Sequence, residues 1–245
     1  MGLLSLVVLL AFTSALFAQQ PASGQKPDSS LPDAPSSTKA NDSSVVGYAT
    51  NGSFFFPAIA TSPGPLSTGQ KFKLFVNESI SPPYILVAAL GAGINQARDV
   101  PEGYGQGAEG YGKRFGANMA RASSQSFFGT FLFASVLHQD PRFFPQTKPN
   151  FWGSVKYSAQ RVIITRNDSG NDVFNASGLL GPLAAETLAN TYLPVEEQTG
   201  AKTLARFGAD LGWKLGGNMF KNYWPTLFHQ MGLHRLKVIP APAHP

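Results

Sequence analysis

Small residues recur at every fourth position in four separate segments of this chain, and that spacing restricts the fold more than any other feature. The rows are Ala89, Gly93 and Ala97; Gly112, Gly116, Ala120 and Ser124; Ser177, Gly181, Ala185 and Ala189; and Gly208, Gly212 and Gly216. Four-residue spacing places each row on one face of an α-helix. A glycine inside a helix costs about 1 kcal/mol relative to alanine, so three in a row require a compensating gain. Close approach of two backbones supplies one, through van der Waals contact along the crossing. The expectation is an all-α fold, a compact bundle of about five helices meeting through small faces, with Gly112, Gly116, Ala120, Gly181, Ala185, Gly208, Gly212 and Gly216 as packing residues.

Met1–Ala18 has an apolar run followed by small residues, the pattern of a secretory signal. Residues 19–68 are rich in Pro, Ser and Asp and read as a disordered tether, which Phe54-Phe55-Phe56 interrupts as a segment able to dock on the domain. The helical domain spans 69–232, and 233–245 is a disordered tail. Within the domain, Lys71–Val76 reads as an extended lead-in or the first turn of a short helix. A helix opens at Ser81-Pro82-Pro83, with Ser81 as N-cap. The stretch from Gly110 runs as one helix to Asp140-Pro141, where proline stops it. A third helix, Trp152 to about Thr165, places Trp152, Val155, Ala159, Val162 and Ile163 on one face. A fourth opens at Asn175–Ser177, with Pro182 in or near its first turn, and ends at Leu193-Pro194. The last spans Thr203–Trp224, with Pro225 closing it.

Composition excludes several kinds of chemistry. The chain has no cysteine, so disulfides, Cys-ligated zinc and thiol nucleophiles are ruled out. Only 13% of residues are charged, with a net charge of +5 that favours acidic surroundings such as anionic lipid. The basic residues are scattered along the helices and form no concentrated face, so nucleic acid is not an expected partner. No charged residue lies between Glu78 and Arg98.

Three polar sets remain as candidates. His138, Asp140 and Arg142 crowd the end of the central helix and include the usual acid–base groups. The competing reading is capping, with the histidine on a helix C-terminus and the aspartate as a turn former. Glu186, among alanines on an apolar helix, is an ionisable group placed for burial, with Arg121 as the expected partner. Asp168, Asn171 and Asp172 suggest calcium but lack the carboxylate spacing of an EF-hand, and an Asx-turn accounts for them. Gly105–Gly110 matches the dinucleotide pattern GxGxxG without the strand that gives it meaning. No cofactor and no metal is expected.

Five motifs, GINQARD (Gly93–Asp99), GYGQGAEGYGKRFG (Gly103–Gly116), HQDPRFF (His138–Phe144), TRNDSG (Thr165–Gly170) and NYWP (Asn222–Pro225), resemble those of a family of exported bacterial proteins. The resemblance covers roughly Lys71–Gly232. It implies an envelope-targeted domain and carries no catalytic residue across. The expectation is a periplasmic or outer-membrane protein acting as a structural or interaction module on a membrane surface or an envelope partner. The alternative is a hydrolase of envelope material working through His138, Asp140 and Glu186, which requires those groups to converge on one open pocket.

Overall fold

The computed structural model describes residues 54–231 and 238–241. The signal segment Met1–Ala18, the tether up to residue 53, and tail residues 233–237 and 242–245 lie outside the described residues. Six helices form a bundle: α1 Thr68–Ser79, α2 Pro82–Ala97, α3 Gly107–Ser126, α4 Phe151–Ile163, α5 Ala176–Ala189 and α6 Gly200–Gln230. Helix α3 continues through a π-helical segment, Phe127–Phe133, into a last α turn, Ala134–Val136. A short antiparallel sheet, β1 Gln139–Asp140, β2 Ile164–Asn167 and β3 Asp172–Phe174 in that order, closes one side. Gln139 faces Asn167 across the first pair, and Arg166 faces Asp172 across the second.

The starts of the helices follow from local chemistry. Ser67 and Gln70 form a reciprocal capping box on α1. Asn150, Asn175 and Thr199 accept the first free N–H groups of α4, α5 and α6. Ser81 departs from expectation, because its hydroxyl donates to the Glu78 carbonyl and does not cap α2. The segment Lys71–Val76 lies inside α1. The central helix stops at Val136, short of Asp140, because His138 adopts a left-handed backbone (φ 52°) and Gln139-Asp140 then pairs with β2.

Both internal prolines lie deeper than expected. Pro225 lies inside α6, which runs on to Gln230, so it does not close the helix. Pro182 falls in the second turn of α5 and withholds the N–H that the Gly178 carbonyl would otherwise accept. The Lys214 ammonium donates to that carbonyl instead, at 2.9 Å.

The body begins well before Gly69. Phe55 and Phe56 pack against Trp224, with ring centroids 5.8 and 4.9 Å away. Ala58 and Ala60 bond to Phe143 on both sides of its peptide. Ile239 and Ala241, in the tail segment, donate to Ala60 and Pro145. Arg142 fixes this strap through the carbonyls of Ser62 and Gly64 while it holds Asp140.

Half of the fourteen buried apolar residues are alanine, so elements meet through small side chains. The small rows serve this end unequally. Gly181 on α5 meets Gly129 of the π segment backbone to backbone, and Ala185 and Ala189 are fully buried beside it. Helix α2 packs on α3 through Ala88, Gly91 and Ala92, one position off its own row. Gly112, Gly116, Gly208, Gly212 and Gly216 face open space, and Ala120 is exposed, so these predicted packing residues make no helix crossing among the described residues.

Candidate functional site

The sequence candidates do not converge. The His138 side chain is 83% exposed, with Nδ1 3.8 Å from Asp168. Asp140 and Arg142 form a buried pair at 2.6 Å, committed to anchoring the N-terminal strap. Glu186 belongs to a different network on α5, sharing no partner with either. The common open pocket that the hydrolase reading requires is therefore not formed by these residues. Asp168 is held by Lys71 at 2.9 Å, and Asn167 makes the Asx-turn by accepting from Ser169 and Asn171. The GxGxxG stretch follows a short 3-10 turn, Glu102–Tyr104, and the Gly105 carbonyl is bonded to Arg114. Among the described residues, no group of three or more His or carboxylate side chains is arranged to hold a metal.

Inside the bundle lies a network of charge. Glu186 is fully buried and accepts from Arg121 Nε at 2.7 Å and Arg206 Nε at 2.6 Å. Arg121 is the partner expected for it; Arg206 and Asp210 are additional members. Burial alone would raise the Glu186 carboxyl, but the hydrogen bonds from both guanidiniums outweigh that and hold it below the ordinary range. Gln125 Nε2 reaches Asp210 at 2.6 Å and Glu186 at 3.3 Å. Arg206 also bonds the Glu197 carbonyl and Asn190.

A second buried carboxylate, Glu78 on α1, accepts from Ser126 and Thr130 hydroxyls at the start of the π segment. On α6, loss of water around Lys214, with the charge of Lys221 nearby, lowers its ammonium to about 8. Lys71, 2% exposed, donates to the Ala134 carbonyl and to Asp168.

The outer surface has the opposite character. On α2 the buried positions are Ala88 and Ala92, whereas Ile85, Leu86, Val87, Leu90 and Ile94 are each 41% or more exposed. Asn118 and Tyr111 on α3 donate to the Ala88 and Ala89 carbonyls, which fixes the small face inward and the large one outward. Phe72, Val76 and Ile80 extend the apolar surface along α1. Lys73 and Arg98 flank it, both exposed. On α4 the expected apolar face is split: Trp152, Ala159 and Ile163 are exposed, Val155 is half-buried and Val162 is buried, and the interior side also takes Ser154, Tyr157, Ser158 and Arg161. Asn222 on α6 explains the polar interior there, bonding Ser154 and Gln146.

No protein-family model matches this chain, and no curated protein or solved structure matches it either.

Proposed function

We propose that this chain is an exported envelope protein, a structural or interaction module that seats the α1–α2 face in the lipid of a bacterial envelope membrane. The observation that carries the reading is the inversion of α2, with alanines packed inward and large aliphatic side chains outward. Small inward faces are how helices pack where lipid is the surrounding solvent. Large aliphatic side chains exposed together along one helix mark an interaction site.

Among the described residues, no single helix is long and apolar enough to cross a membrane; α1 and α2 together pass on length and composition but are bent by 43°. Helix α2, at 1.5 Å per residue, is about 24 Å long, short of the roughly 30 Å hydrocarbon core. The reading is therefore a shallow seat, with Lys73 and Arg98 reaching the headgroups from its two ends. Full burial of a large aliphatic side chain contributes about 1.5–3 kcal/mol. Half-exposed residues retain roughly half of that, so a handful supply about 4–7 kcal/mol before the entropic cost of docking. The net charge of +5 adds attraction to anionic headgroups.

The test is flotation of the full chain with vesicles containing anionic lipid. The wild type is expected to rise with the vesicles and to stay bound in high salt. Leu86→Asp with Leu90→Asp alters two outward side chains and is expected to weaken binding about tenfold or more without changing the melting temperature. A wild-type chain that stays at the bottom of the gradient rejects the lipid seat and leaves a protein partner as the occupant of the face.

A further inference from the structure

We propose that Asp210 and Glu186 hold one proton between them near neutral pH and that this proton clasps the amino-terminal half of α6 to α3 and α5. The two carboxylates are drawn together by shared donors. Gln125 Nε2 reaches both, and the Arg121 guanidinium lies 2.7 Å from Glu186 and 3.4 Å from Asp210. Arg206, on the same helix as Asp210, is turned to Glu186 and Glu197. Among the described residues, the cation that pairs with Asp210 is Arg121, and it is already paired more closely with Glu186. Tyr192 and Tyr104 approach the same cluster and bring no positive charge.

Two carboxyl groups gathered around one guanidinium and one amide are both acceptors when ionised, and a proton on one of them relieves the repulsion between like charges. Burial first, and then the Glu186 charge, raises the Asp210 carboxyl to about 7, against the opposing pull of Arg121. The folded state thus keeps a proton that the unfolded chain, with an ordinary aspartate near 3.9, releases well below neutrality. Its stabilising effect is full below the unfolded value and is lost as pH rises through about 7.

The position gives the proton a mechanical role. Arg121 and Gln125 both reach α6 at Asp210, while the outer side of this part of α6 carries Gly208 and Gly212 with nothing against them. Without the proton, two like charges face each other where α6 is held. The inference is independent of the lipid seat, since it concerns the interior on the α3, α5 and α6 side.

The experiment is thermal unfolding of the full chain between pH 5.5 and 8.5, with Asp210→Asn compared. Asparagine donates to Glu186 and accepts from Gln125 at every pH, as the protonated aspartate does. The wild type is expected to lose about 5 °C across the range, falling steadily up to about pH 7 and levelling off above it. The variant is expected to show no such loss and to melt above the wild type at pH 8.5. An infrared carbonyl band of a protonated carboxyl, present in the wild type at pH 6 and gone by 8.5, reads the same proton without mutation. A flat wild-type profile, an unchanged slope in Asp210→Asn, or absence of that band at pH 6 overturns the proposal.

Discussion

Gly181→Ala is expected to destabilise the protein by about 3 kcal/mol or more, the upper end for forcing one methyl into a packed contact. A Cβ at Gly181 would lie 2.6 Å from the Gly129 backbone nitrogen, closer still to its Cα, and 3.3 Å from the Gln125 carbonyl oxygen. All three obstacles are backbone, so no side chain can swing aside and α5 must separate from the π segment. That separation would also lengthen the contacts of Glu186, five residues beyond Gly181, with Arg121 and Gln125, eight and four residues before Gly129. Gly212→Ala has the opposite sign. Nothing lies within 4 Å of its would-be Cβ, so the helix-propensity gain of up to about 1 kcal/mol should appear as added stability. Chemical denaturation of both variants reads the contrast. Equal stability of Gly181→Ala and the wild type would rule out the close crossing.

The contrast also marks how far sequence reasoning reached. Four-residue spacing of small residues correctly identified helices, because periodicity is a property of the chain alone. Which rows are used depends on tertiary partners, and Ser177–Ala189 has one in Gly129 while Gly208–Gly216 has none among the described residues. The Glu186–Arg121 pair was legible because a lone carboxylate among alanines needs a partner, and few arginines lie on a neighbouring helix. Asp210 was not. In Arg206, Asp210 and Lys214, charges four apart resemble a solvated helix face, and only the bundle turns that face inward. The same inversion misled the reading of α4, where Trp152 and Ile163 look like core residues and Ser154 and Ser158 like surface. In an environment that tolerates apolar side chains outside, hydrophobicity stops marking the interior, and hydrogen-bonding capacity marks it better. Four of the five sequence motifs accord with this, each contributing a structural anchor: Gln96 and Asp99 bind Arg114, Asp140 binds Arg142, and Asn222 binds Ser154.

Arg114 bonds more residues than any other of these anchors, five in all, and Arg114→Met is expected to cost about 3–5 kcal/mol, the range for breaking a buried charged network. Its side chain is 1% exposed, and its guanidinium donates to the carbonyls of Val100, Pro101 and Gly105 and to the side chains of Gln96 and Asp99. Those groups span the loop from the end of α2 to the start of α3, so one residue closes it. Methionine preserves much of the volume and removes every donor, which leaves several carbonyls at about 1–3 kcal/mol each unless the loop opens to water. Opening is the cheaper outcome, and it should appear as new protease cleavage between Asp99 and Gly107. Lys113→Met on the preceding residue is the control. Among the described residues its ammonium bonds the exposed Glu109 at 2.7 Å, an i, i+4 surface pair that contributes little to stability. Two adjacent positive charges on one helix should thus differ by several kcal/mol in stability and by the presence or absence of loop cleavage. If the two variants melt alike and neither is cut, the loop is held by something other than Arg114.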